Sequence, residues 1–258
     1  MSKNELKIDA RRSAILEQLR RDGQVRVSQL SDQFCTTVVT IRSDLSALER
    51  DGYLERTPGG AIQTVKNFYN LDFNLRQQEH MPAKKSIATA AADLVKDGDT
   101  LLINSGTTTY FTAIALKKHK NLNVVTNSIY VAMELGSTPT FRVILLGGEI
   151  NAQYAFSYGE DAKEQLSRYK ADYAILSMDG VCSQTGLTTY HAEESIIDRM
   201  MMERAHETII VADNSKIEHE SFSHVCGLDS IGCWVTDQQA DPALAERIAH
   251  AGISIIFA

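Results

Sequence analysis

Residues 100–120 read TLLINSGTTTYFTAIALKKHK. A short, mostly apolar run leads into a loop of small polar residues, and a helix-like run leads out. A brief apolar run bounded by turn chemistry is the mark of a buried strand, and a longer periodic run the mark of a helix. Strand, small loop and helix together form the unit from which parallel α/β sheets are built. The loop, Asn104-Ser105-Gly106-Thr107-Thr108-Thr109, offers successive backbone N–H groups, several hydroxyls and a helix N-terminus. That set suits a phosphate monoester. An ordinary capped helix start has the same local features. The loop is neither a Walker A sequence nor GxGxxG, so neither ATP nor a dinucleotide is indicated.

Downstream the pattern repeats. Strand candidates fall at 100–103, 123–126, 141–146, 173–177, 208–211, 232–235 and 253–257, with helical stretches between most of them. Short apolar strands alternating with helices predict a mostly parallel sheet covered on both faces. The loops after such strands gather at one edge, where ligands bind. Here they are 104–109, 127–128, 147–151, 178–189, 212–216 and 236–237, all rich in Gly, Ser, Thr, Asn and Asp. They bring Asn127, Gly147, Gly148, Asp179, Gly180 and Lys216 into consideration beside the 104–109 loop. Lys216 suits a phosphate as a point charge. Asp179 and Glu193 or Glu194 suit sugar hydroxyls. Taken singly, each of these also fits a helix cap or a solvated surface.

Upstream lies a different pattern. ARRSAILEQLRRDG (10–23) places Ile15, Leu16 and Leu19 on one helical face. Ser28 suits the cap of a second helix carrying Leu30 and Phe34. Thr36 or Thr37 suits the cap of a third, on which Ile41, Leu45 and Leu48 are spaced four and three apart and Gly52 closes the run. YLER then alternates like a strand, and TPGG is turn chemistry. Helix, turn, helix, strand and Gly-rich tip within sixty residues predict a winged helix-turn-helix. With the apolar stripe buried, Thr40, Arg42 and Ser43 face a major groove. Thr36 and Thr37 sit where helix N–H groups favour a phosphate, and Arg56 and Gly59 lie on the wing. Residues 62–81 are polar with scattered aromatics and are expected to form a partly packed linker.

The segment TTVVTIRSDLSALERDGYLERTPGGA (36–61) resembles the DNA-binding domain of the DeoR family of bacterial regulators. Thr40-Ile41-Arg42, Asp44-Leu45, Leu48-Glu49, Gly52 and Gly59-Gly60-Ala61 carry the likeness. Ser43 replaces a second arginine common in that pattern, and Pro58 replaces a histidine. The likeness continues through LLINSGTTT, VVTNS, LLGGEIN, DGVCSQTGLTT, EES, ADNSK and WVTD, in the order of the family's sugar-phosphate sensor domain. Phe73, Arg76 and Lys85 match its linker pattern. The resemblance implies a fold related to ribose-5-phosphate isomerase and a phosphorylated sugar as effector. Asn104 stands where the family usually has Asp. Asparagine keeps an acceptor and adds a donor but cannot act as a base.

Composition bounds the alternatives. The chain has 258 residues, 43% hydrophobic and 23% charged, enough for a full core in one large or two modest domains. Net charge is −7, made up of +1 over residues 1–60 and −8 beyond them. No apolar run approaches a membrane span of about 20 residues, and the polar start lacks a signal-peptide core. Cys35, Cys182, Cys226 and Cys233 show no framework spacing, which fits reduced thiols and a cytoplasmic setting. His191, His219, His224 and Cys226 match no zinc spacing, so no metal is expected. The pattern of the isomerases that the second part resembles supplies a lysine soon after its aspartates, and CSQTGLTT has none.

The expectation is therefore an α/β chain. It has a winged helix-turn-helix DNA-binding domain (1–61), a linker (62–81) and a larger, mostly parallel α/β effector domain (82–258). The chain is expected to be a transcriptional regulator of carbohydrate metabolism, a repressor in its commoner form, without catalysis or cofactor. It would bind operator DNA and a sugar phosphate as a dimer or tetramer. A sugar-phosphate isomerase with a nucleic-acid-binding head is the alternative.

Overall fold

Strands in the larger part of the chain are apolar on consecutive residues because helices cover both faces of the sheet they form. In the computed structural model, residues 11–12, 14–16, 18–19, 22–50, 53–62, 73–240, 247–248 and 252–258 are described. The chain divides into two compact units, Met1–Asp72 and Phe73–Ala258.

In the first unit the described residues between 11 and 22 are helical. They are followed by β1 (Gln24–Arg26), α1 (Val27–Gln33), α2 (Val38–Arg50), β2 (Glu55–Thr57) and β3 (Gly60–Ile62). The strands form an antiparallel sheet of order β1-β3-β2. Ile15, Leu19, Leu30, Ile41 and Leu45 are buried together as its core. α1 starts one residue before Ser28, with Arg26 at the cap and no side-chain cap bond, so Ser28 lies inside the helix. Gly60 is the glycine the wing needs: a Cβ there would lie 1.8 Å from the Val25 carbonyl oxygen across the sheet. Gly52 and the 63–72 part of the expected linker lie outside the described residues.

The second unit begins inside that expected linker. α3 (Phe73–Gln78) and α4 (Met81–Asp93) precede β4 (Thr100–Ile103), α5 (Thr107–Leu116), β5 (Asn123–Thr126), α6 (Ile129–Gly136) and β6 (Arg142–Leu145). A hairpin of β7 (Glu149–Asn151) and β8 (Phe156–Tyr158) follows, then α7 (Glu160–Ser167) and β9 (Ala171–Leu176). Next come β10 (Gly180–Cys182), β11 (Gly186–Thr189), α8 (Ala192–Arg204), β12 (Ala205–Val211), β13 (Ser223–Cys226), β14 (Cys233–Thr236) and β15 (Ser254–Phe257).

Seven of these strands form one sheet of order β15-β14-β12-β9-β4-β5-β6, every pair parallel. Side chains alternate between two cores. Leu102, Leu176, Ile210 and Trp234 face one side with Leu166 of α7 and Ile197 and Met201 of α8. Leu101, Ile103, Ile175 and Val235 face the other, with residues of α4, α5 and α6. Trp234 is 1% exposed and donates its indole N–H to the Ala212 carbonyl at 3.3 Å.

The chain runs outward from β4 through β5 to β6, then returns to the other side of β4 at β9 and runs outward again. The reversal falls between β4 and β9, which pair in register from Leu101↔Tyr173 to Ile103↔Ile175. A crevice at the carboxyl ends of strands flanking such a reversal is where open α/β sheets bind ligands.

Candidate functional site

At that reversal the end of β4 is stitched to the end of β9 by one side chain. Asn104 is fully buried. Its Oδ1 accepts the Ser177 N–H at 2.9 Å, and its Nδ2 donates to the Ser177 carbonyl and to Asp198 Oδ1, each at 3.0 Å. Both amide protons are thereby committed, so Asn104 holds the crevice together rather than facing into it. Gly106 lies against the same strand end, where a Cβ would sit 1.8 Å from Ser177 Oγ.

The rest of the loop divides into structural and open groups. Ser105 donates its hydroxyl to the Tyr154 carbonyl at 3.2 Å. Thr109 shares its proton between the carbonyls of Asn104 and Gly106. Gly106 caps α5 without a side-chain bond. The first-turn N–H groups of a helix have no intrahelical partner. At α5 they belong to Thr107, Thr108 and Thr109, and the Thr107 and Thr108 hydroxyls have no hydrogen bond among the described residues.

α3 contributes a cation to this edge. Phe73 is buried, stacked on Tyr130 at 3.9 Å between centroids and edge-on to Tyr110 at 5.5 Å. Arg76, one turn on, holds its guanidinium 4.2 Å above the ring of Tyr154, the residue whose carbonyl Ser105 binds. Its Nε and Nη2 are buried without a hydrogen-bond partner among the described residues. Those two nitrogens share one edge of the guanidinium, the fork that grips two oxygens of a phosphate or carboxylate. Lys84 of α4, 5% exposed, donates to the Arg76 carbonyl at 2.6 Å. Burial pulls its ammonium down to about 8, against the opposing pull of the Asp213 carboxylate.

Carboxylates face these cations. Asp179 Oδ2 accepts the Tyr190 N–H at 2.9 Å and the Thr189 hydroxyl at 3.2 Å. Thr189 Oγ1 also lies 3.0 Å from Glu194 Oε2. Glu194 and Asp198, a turn apart on α8, are both buried, and burial holds both carboxyls well above the usual range, with the Asp179 charge adding to it. His191 is edge-on to Tyr154 at 4.4 Å and is pushed down, chiefly by burial. Asn127 Oδ1, the Tyr154 hydroxyl, His191 Nε2 and Asp198 Oδ2 are buried without partners, like the Arg76 fork. Buried polar atoms are rarely left so, and here both donors and acceptors are among them.

The structure thus brings Asn104, Ser105, Gly106, Thr107, Thr108, Thr109, Asn127 and Asp179 to the strand ends. Lys216, on the 3-10 turn Asn214–Lys216, lies close enough to depress both Lys84 and His219. The remaining glycines have packing reasons instead. Gly147 donates its N–H to Gln165 Oε1. A Cβ on Gly148 would meet the Tyr158 carbonyl at 2.3 Å, and one on Gly180 the His219 carbonyl at 2.1 Å. Glu193 is exposed, and its neighbour Glu194 is the one turned inward. Sequence reasoning passed over Lys84, Tyr154, Asp198 and Asp213, weighed His191 only as a metal ligand and saw Arg76 only as part of a linker pattern. Lys84 left a signal: it falls three and four residues before Ile87 and Ala88, on the apolar stripe of α4.

In the first unit, α2 presents Val39, Arg42 and Ser43 outward while Ile41, Asp44, Leu45 and Leu48 are buried. Thr37 is the helix cap: its Oγ1 accepts the Thr40 N–H at 3.1 Å and lies 2.9 Å from Thr40 Oγ1. Thr36 is tied through its carbonyl to the Ser31 hydroxyl. Arg56 reaches back to the same helix, donating to Ser46 Oγ at 2.8 Å, while Gly59 sits at the wing with open space around its Cα and its carbonyl accepting the Val27 N–H. Asp44 was unexpected as a buried charge. It accepts from Arg11 at 2.6 Å and Arg12 at 3.1 Å, which locks α2 to the leading helix.

Residues 11–66 match the DeoR-like helix-turn-helix domain, and residues 79–238 match the DeoR C-terminal sensor domain. The chain belongs to the DeoR family. It is a DNA-binding transcriptional regulator with a sensor domain. Among DeoR-type relatives, the transcriptional repressor GlcR of Bacillus subtilis is 30% identical over 94% of this chain and 93% of its own. The glycerol-3-phosphate regulon repressor of Escherichia coli is 29% identical over 90% of this chain and 92% of its own. Of solved structures, a ribose 5-phosphate isomerase from Methanocaldococcus jannaschii overlaps 54% of this DeoR-family chain and 55% of its own at TM-score 0.40 and 18% identity, too loose a likeness to bear on function. Among the described residues no helix is long and apolar enough to cross a membrane, and no cluster of three metal-binding side chains occurs.

Proposed function

We propose that this DeoR-family protein represses a carbohydrate-metabolism operon and that a phosphorylated sugar sets its affinity for the operator. The observation that carries the reading is the Arg76 fork, buried over Tyr154 with two unpartnered nitrogens. A phosphate answers that fork and the uncapped N-terminus of α5 together. Lys84 and Lys216 add positive charge. The hydroxyls of a sugar answer the acceptors and donors at Asn127, Asp179, Tyr154 and His191. One of these relatives is named a repressor of the glycerol-3-phosphate regulon, and a phosphorylated polyol agrees with this chemistry. Arg42 and Ser43 read the operator, with Thr36, Thr37 and Arg56 supporting the helix that carries them. Heads act in pairs on repeated half-sites, as a dimer or tetramer in the cytoplasm.

The effector acts only through a difference in affinity between the DNA-competent conformation and the other. α3 is the element placed to sense that difference, since it carries Arg76 and directly follows the segment joining the two units. Thermal denaturation against a panel of sugar phosphates and their free sugars tests the reading. One phosphorylated sugar should raise apparent stability, by about 2.7 kcal/mol at a hundredfold excess over Kd, and Arg76→Ala should abolish the gain. Equal stabilisation by the unphosphorylated sugar, or an unchanged response in Arg76→Ala, would defeat the phosphate grip. Conversion of ribose 5-phosphate to ribulose 5-phosphate by the purified protein would defeat the non-catalytic reading.

A further inference from the structure

Val39 is the odd side chain on the DNA-reading helix. It is 74% exposed, in the first turn of α2, and has no hydrogen-bonding group. A β-branched residue gains little from helix formation, and an exposed one gains nothing from burial. Its neighbours decide what it faces. Arg42 and Ser43, three and four residues on, share its side of the helix and are exposed. Ser46, a further turn on, is held by Arg56. The inward positions Ile41, Asp44 and Leu45 leave Val39 no place in the core.

We propose that Val39 is a base-reading residue that recognises the C5-methyl group of a thymine in the major groove. First-turn residues of a recognition helix meet base edges. Of the groups on the groove floor, the thymine methyl is the one an aliphatic side chain complements; the rest are hydrogen-bond donors and acceptors. Arg42 supplies the charge that draws this face of the helix to DNA and has the geometry for guanine O6 and N7. Side chains three apart on a helix lie about 5–6 Å from each other, while base pairs rise about 3.4 Å. The thymine read by Val39 therefore lies one or two base pairs from the guanine read by Arg42. The branched Cβ fixes χ1, so two methyl groups are presented with little rotamer freedom to lose. Val38, 39% exposed, is not needed for the contact.

Uracil scanning tests this, since uracil differs from thymine only by that methyl. The full chain is first used to select its preferred duplex from a random-sequence pool, and each thymine of that duplex is then replaced singly by uracil. One thymine per half-site, one or two base pairs from an essential G·C pair, should lose about fourfold in affinity when replaced. Val39→Ala should bind the thymine and uracil duplexes equally well. Arg42→Ala should bind all duplexes more weakly and still prefer thymine there. Val39 is exposed, so Val39→Ala should melt as the parent does, and the isosteric Val39→Thr is the second variant. The proposal is overturned if no uracil substitution weakens binding, or if the preference for thymine persists in Val39→Ala. A pool that yields no preferred sequence would overturn it together with the DNA-reading role of α2.

Discussion

Lys84 is a side chain whose position costs stability. The unfolded chain holds its proton up to the ordinary lysine value near 10.5, and the folded chain only to about 8. The folded state is thus penalised in full below pH 8, and the penalty fades as pH rises from there toward the unfolded value. Lys84→Met should raise the stability of the second unit at pH 7 by roughly 2 kcal/mol, the relief of burial less one lost hydrogen bond. Near pH 10.5 the gain should have reversed to a loss of about 1 kcal/mol, that of the missing hydrogen bond, while the effector response is lost at every pH. Thermal melts at the two pH values check it. Gly106→Ala tests the stitched loop: its Cβ collides with Ser177, at an expected cost of about 1–3 kcal/mol. Adding Ser177→Gly should recover part of that loss, a non-additivity that two independent sites would not show. At this scale the sequence was half legible. The loop 104–109 was visible as small and polar, but its division into stitching and open groups depends on Ser177 and Tyr154, far away in the chain. Asn104 was expected to meet the ligand, and its amide protons are instead spent between β9 and α8.

Among elements, the strands of the parallel sheet were legible because the inner ones are buried on both faces and read as nearly unbroken apolar runs, while the edge strands β6 and β15, only partly buried, keep Val-Ile and Ile-Ile at their centres. The short antiparallel strands β7, β8, β10, β11 and β13 were not. They span three or four residues around Gly, Ser and Thr and look like loops. α3 was hidden for another reason: it sits in a polar stretch, and its anchors, Phe73 stacked on Tyr130 and Arg76 over Tyr154, lie on partners far along the chain. α2 was visible from its apolar spacing, yet its tether was not, since Asp44 falls on the buried face beside Ile41 and Leu45. Asp44→Ala leaves Arg11 and Arg12 without their carboxylate and α2 without its link to the leading helix. Those arginines are partly exposed, so the cost should be about 2 kcal/mol rather than the larger value of a fully buried pair. Hydrogen exchange of α2 amides should accelerate accordingly while amides of the parallel sheet keep their protection, and DNA affinity should fall with it.

For the whole molecule, charge and construction divide in the same place. The first sixty residues are nearly neutral and the remainder carries the acidity, so neither part has the overall basic balance that is the usual footprint of nucleic-acid binding. The two compact units have separate cores, and each is expected to unfold as its own cooperative step. Trp234, the chain's one tryptophan, lies wholly inside the second of them and hangs from the carbonyl of Ala212, the residue before Asp213. The protein therefore carries an intrinsic optical reporter that is blind to the DNA-binding head. Indole emission should trace one melting step, circular dichroism at helix wavelengths two, and a bound effector should move only the transition that both methods share.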